Sequence, residues 1–139
     1  MRVVLDSNEY IFAFSGQAPS STETLFQLVA SRSSKCSLHL PRLIVEEVQR
    51  NLGPAGIKDF WAYLNAINVT PDEDWSVPFE IGARYESQGF KPGDAFIAAY
   101  AEWIGCEVLV SENRDFLVHA ILPFRILKAD AFVKEFSTG

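Results

Sequence analysis

Val3-Val4-Leu5-Asp6-Ser7-Asn8 is a short β-branched, apolar run closed by an acid and two turn-forming residues, which reads as a strand ending in a polar loop. A second such strand is expected over 107–110, where Glu107-Val108-Leu109-Val110 gives way to Ser111-Glu112-Asn113-Arg114-Asp115. Between them, Leu25, Phe26, Leu28 and Val29 have helical spacing and predict a helix over 22–30. Residues 35–40 predict a further short strand, after which Pro41 opens a helix that runs to Leu52 and stops at Gly53-Pro54. Another helix is expected over 57–65, a third strand over 66–70, and a polar loop at Pro71-Asp72-Glu73-Asp74 leading to a helix from about 77 to 89. The stretch 94–104 is apolar almost all the way round, as for a helix buried between other elements. A fifth strand over 125–127 and a last helix over 130–136 complete the series. Such alternation predicts an α/β fold, a parallel sheet with helices on both faces and right-handed crossovers.

At 139 residues and 48% hydrophobic, the chain is expected to form a single domain over 1–139 with one continuous core. Met1 to Asp6 enter a strand-like pattern with no basic or apolar leader, so a cytoplasmic location is expected. The apolar stretch 95–104 is too short to span a bilayer and carries Glu102, which argues against a membrane protein. Cys36 and Cys106 lack any paired spacing and are read as reduced, buried small hydrophobes. Twelve basic against 18 acidic residues give a formal charge of −6, which disfavours a module that grips nucleic acid by charge alone. An acidic chain and a phosphate substrate remain compatible if carboxylates gather around divalent cations, each of which cancels two charges and attracts phosphate.

In an open parallel sheet, ligands bind at the carboxyl ends of the strands. Asp6 ends the first strand and Asp115 follows the fourth, so both should reach the same edge. Asp94 opens the buried helix after Lys91-Pro92-Gly93, where a structural N-cap or first-turn role is compatible with a ligand role. On the helix from Arg42 to Leu52, Glu47 falls between Leu43 and Ile44 on the apolar arc while Glu46 points away, so Glu47 is the inward acid. A half-buried carboxylate is costly unless it meets a cation, and an Arg or Lys partner is the competing explanation. Asp6, Glu47, Asp94 and Asp115 together offer the oxygen ligands that Mg²⁺ or Mn²⁺ prefers.

Four segments, Val3-Val4-Leu5-Asp6-Ser7-Asn8, Leu43-Ile44-Val45-Glu46-Glu47-Val48, Gly93-Asp94-Ala95-Phe96-Ile97-Ala98-Ala99 and Val108 to Phe116, resemble in order and spacing the PIN-domain nucleases, most closely the VapC-like toxins of toxin-antitoxin pairs. The resemblance implies a three-layer α/β/α domain with a five-stranded parallel sheet and an acidic cleft holding one or two Mg²⁺ or Mn²⁺ ions. It implies a metal-dependent endoribonuclease acting on RNA, restrained by an antitoxin protein and paired as a homodimer. Asp6, Glu47, Asp94 and Asp115 would be the catalytic and metal-binding set, with the cation acidifying a water for in-line attack on phosphorus. Asn113 stands where many members carry another Asp, which removes one charged ligand; Glu112 is its nearest substitute. Ser7 and Asn8 would fix the loop beside Asp6 or serve as plain turn residues, and Arg114 would contact a phosphate or an exposed acid.

Two other readings compete with the nuclease. A catalytically degenerate RNA- or protein-binding module would keep the fold and explain Asn113. A phospho-acceptor or phosphatase domain also places an Asp after its first strand, but Asp6-Ser7-Asn8 lacks a second Asp two residues on. His39 and His119 have no partner at zinc spacing and are read as packing or surface residues. Trp61, Trp75, Trp103 and most of the Phe are read as core or subunit interface, with Tyr10, Phe12, Phe14 and Trp61 as candidates for a dimer or antitoxin surface.

Overall fold

A computed structural model describes residues 1–32, 35–118 and 122–137; His119 lies outside the described residues. Its sheet runs β2 (Ser37–His39), β1 (Arg2–Leu5), β3 (Val108–Val110) and β4 (Arg125–Leu127) from edge to edge, with every pairing parallel. Successive strand side chains point to opposite faces. Val3, Val4, Leu5, Val108, Leu109 and Val110 are nevertheless all at most 1% exposed, so both faces of the sheet are covered.

The cover is helical: α1 (Ser7–Phe14), α2 (Ser20–Ser31), α3 (Arg42–Asn51), α4 (Pro54–Ala66), α5 (Phe79–Ser87), α6 (Pro92–Trp103), the single turn α7 (Arg114–Leu117) and α8 (Ala129–Phe136). α1 packs against α2, α3 and α4, α5 against α6, and α2 against α8. α6 is the buried helix its composition predicts, with Ala95 and Ile97 to Ala101 all inside. Cys36 and Cys106 are free, buried thiols. Among the described residues no helix is long and apolar enough to cross a membrane.

Three expectations are corrected. The sheet has four strands among the described residues, because 66–70 does not form the expected third strand. α4 continues to Ala66, and the amides of Ile67, Asn68 and Val69 turn back onto the carbonyls of Tyr63, Asn65 and Leu64, with Asn68 in the left-handed region at φ 58°. Those donors are spent on closing the helix and are lost to the sheet. Only Asp72 reaches the edge, giving its amide to Leu40 and taking that of Arg42 in a single parallel bridge with Pro41. Second, the residues after Asp6 are not a loop: α1 starts at Ser7, directly at the strand end.

Third, the aromatic residues near the first helices are mostly core. Tyr10 is fully buried, edge-on to Phe26 and Phe60 with ring centroids 5.4 Å away in each case, and Phe14 and Trp61 pack on the same cluster. Phe12 alone of the four is exposed, and the most open aromatic side chains are Trp75 and Phe79.

The cluster depends on a close approach of α1 and α4. A Cβ added at Gly56 would stand 2.6 Å from the Phe14 carbonyl oxygen, a backbone atom that has little room to retreat. Gly56→Ala is therefore expected to lower stability by about 1–3 kcal/mol. A urea midpoint equal to that of the native chain would contradict this packing.

Candidate functional site

The parallel sheet fixes the site by register. Leu5 pairs with Val110, and the Asp6 amide donates to the Val110 carbonyl at 2.9 Å, so Asp6 and Ser111 leave the sheet side by side. Asp6 caps α1: its Oδ1 accepts the Ser7 amide at 2.8 Å, and its Oδ2 accepts the Ser111 hydroxyl at 2.8 Å. Ser111 is fully buried and also accepts the Asn113 amide, at 2.9 Å. Asn113 then caps α7 by accepting the Asp115 amide at 2.9 Å, while its Nδ2 donates to Asp94 Oδ1 at 3.2 Å. A continuous chain of hydrogen bonds thus links three of the four predicted acids.

Glu47 joins them from α3. It is half-buried while Glu46 is exposed, as the helical spacing predicts. Burial raises the Glu47 pKa, and the charges of Asp6 and Asp94 raise it further, against Arg50 and the Ser7 hydroxyl. The Asp94 pKa is raised first by burial, then by Asp115, with the Asn113 hydrogen bond and Lys91 opposing. For Asp6, burial outweighs the hydrogen bonds from Ser111 and Ser7, and Asp94 adds to the rise. The four acids therefore feel one another, and a bound cation would relieve both their burial and their repulsion.

Asp115 is half-buried with Lys91 Nζ 3.6 Å from Oδ2, a contact that is mostly solvent-exposed. Arg114 and Asn8 both face solvent, and Ser7 is buried beside Asp6. Among the described residues, no three His, Cys, Asp or Glu side chains form a ready cage for a metal ion. Mg²⁺ does not need one, since it commonly keeps several waters and takes only one or two carboxylates. The donor set, oxygen throughout and with net negative charge, suits such a cation.

Sequence reasoning missed two residues. Ser111 carries no ionisable group, so nothing in its chemistry singled it out. Glu9 sits in the first turn of α1 and is fully buried, with both carboxylate oxygens lacking a hydrogen-bond donor. Burial pushes its pKa up to about 9, and the neighbouring Glu112 and then Asp6 act in the same direction. In the metal-free protein Glu9 is thus a neutral acid at neutral pH. A raised carboxyl pKa means that the folded state holds the proton more tightly. Its stabilisation is full below the ordinary value of 4.5 and is lost as pH climbs to about 9. In EDTA, urea midpoints should fall across that window, and Glu9→Gln, which mimics the protonated form, should flatten the fall. An equally steep fall in the variant would show that Glu9 does not titrate there.

The chain is thus an α/β domain with a parallel sheet flanked by helices, and acidic side chains gather at the carboxyl edge of that sheet. The chain is similar in structure to a chain of VapBC2 from Rickettsia felis, solved bound to a DNA fragment from their promoter. The TM-score is 0.64 at 16% sequence identity, covering 92% of this chain and 98% of that one. No protein-family model matches the chain, and no curated protein matches it in sequence. At that identity the likeness is one of fold.

Proposed function

We propose that this protein is a Mg²⁺- or Mn²⁺-dependent endoribonuclease and the toxin half of a toxin-antitoxin pair. The observation that carries the reading is the convergence of Asp6, Glu47, Asp94 and Asp115 from four separate elements onto one edge of the sheet, each of the first three held with a raised pKa. The VapBC2 likeness supports the toxin half of the reading and a protein partner.

When bound, the cation would lower the pKa of a water and neutralise charge that grows on the phosphate oxygens during in-line displacement. The chain's own residues prepare that chemistry. Asp6, held by Ser111 and Ser7, presents a fixed carboxylate; Asp94 is oriented by Asn113; Glu47 and Asp115 complete the negative field. Lys91, 3.6 Å from Asp115, and the exposed Arg114 that precedes Asp115 in sequence would meet substrate phosphates despite the overall charge of −6. Asn113 acts in this scheme as a positioning residue: an Asp in its place has no N–H to give Asp94 and would repel it. Its side-chain amide thus gives an uncharged residue a role in such a cleft.

A single-stranded RNA of mixed sequence should be cut by the purified, partner-free protein with Mn²⁺ or Mg²⁺ and left whole in EDTA. RNA left intact by folded protein under both conditions would move the reading to a binding module on the same fold.

A further inference from the structure

We propose that Glu9 and Glu112 form a second divalent-cation site, adjoining Asp6 but built from residues outside the four-acid cleft. Glu9 rises from the first turn of α1 and Glu112 from the segment after β3, and both follow strand ends that are paired in register, Leu5 with Val110. Glu112 is the nearest charged influence on Glu9, with Asp6 next, and no cationic side chain is among the groups that act on Glu9. Glu9 is 0% exposed with both oxygens unpartnered, and Oε2 of Glu112 is likewise buried without a donor.

Nearby donors are already committed. The Ser111 hydroxyl goes to Asp6, the Asn113 amide to Ser111 and the Asp115 amide to Asn113. A buried carboxylate with no donor and no counter-charge is expensive, and two facing each other are more so. One proton neutralises half of the pair. One divalent cation neutralises both, and two carboxylates are the hard oxygen ligands it takes, with waters or main-chain carbonyls filling its shell. Glu112 is only half-buried, which gives an ion a route in from the surface. The site also supplies a charged position beside neutral Asn113. It requires no nuclease activity, only cation binding.

The test counts Mn²⁺ bound per chain by electron paramagnetic resonance of the free ion, across a titration of native, Glu9→Gln, Glu112→Gln and Asp94→Asn proteins. The native chain should bind one more Mn²⁺ than Glu112→Gln or Glu9→Gln, or bind it roughly 10–100-fold more tightly. Asp94→Asn should keep the Glu9–Glu112 site. Glu112 is accessible enough for its Gln variant to fold, which circular dichroism would verify, so the result does not hang on the buried Glu9. If both Gln variants bind as the native chain does while Asp94→Asn loses an ion, the pair holds a shared proton; this site is then overturned and the four-acid cleft stands. A native chain that binds no Mn²⁺ at millimolar concentration overturns both.

Discussion

Asp94→Asn should lower metal-dependent RNA cleavage by at least ~100-fold, the scale on which preorganised charge at a reacting phosphate acts, while leaving the fold intact. The two effects separate because of what Asp94 touches. Asn is isosteric, and its Oδ1 still accepts the amide of Asn113, so the link from α6 to the segment after β3 survives. Loss of the charge costs a few tenths to about 1 kcal/mol of first-turn interaction with the α6 dipole. Against this, the variant escapes the burial and the repulsion from Asp115 that raise the Asp94 pKa. Metal-free stability should therefore stay level or rise while activity collapses. Single-turnover cleavage and thermal melting in EDTA, measured on one preparation, check the pair of outcomes. A variant that cuts within a few-fold of the native rate would remove Asp94 from the machinery.

The second large effect is expected at a residue that never ionises. Ser111→Ala removes the hydroxyl that donates to Asp6 Oδ2 and accepts from the Asn113 amide. The first loss frees the Asp6 carboxylate to rotate, and outer-shell partners of this kind are commonly worth ~10–100-fold in metal affinity or activity. The second leaves an amide without its partner in a part-buried position, at about 1–3 kcal/mol. Asn113 then holds Asp94 and caps α7 from a less fixed backbone, so the damage spreads to both acids. Ser111→Thr, which keeps the hydroxyl, should restore most of the affinity. Mn²⁺ titration and urea denaturation of the two variants would show it; an Ala variant with native affinity would mean that Asp6 needs no support.

How far such a site is legible in advance depends on the interaction that places each residue. β1 and β3 could be read because a strand buried on both faces must be apolar at every position, and Val3 to Leu5 and Val108 to Val110 are. Glu47 could be read because helical periodicity alone turns it towards the core side of α3. α1 was hidden because its N-cap is Asp6 itself, and Ser7-Asn8 after an acid looks like a turn until Asp6 is seen to bind the Ser7 amide. The expected third strand failed for a different reason: 66–70 has strand composition, but its amides are claimed by the end of α4, a competition between neighbours that composition does not express.

Glu9 and Ser111 were illegible for a reason they share. Each is defined by a partner on the adjacent strand or beyond, Glu112 for the one and Asp6 for the other, and the pairing of β1 with β3 joins segments far apart in sequence. The exposed pair Trp75 and Phe79 shows the opposite case, apolar side chains whose composition suggests core but whose position, on a 3₁₀ turn and the start of α5, leaves them open.

Our proposal is that the acids at the sheet edge use a divalent cation to cut RNA. It is tested most directly by incubating an end-labelled, mixed-sequence single-stranded RNA with partner-free protein in Mn²⁺ and in EDTA, beside an Asp6→Asn variant shown to be folded. Fragments are expected only from the native protein with Mn²⁺. Fragments that persist in EDTA or in the variant, or no fragments from any sample, would contradict it.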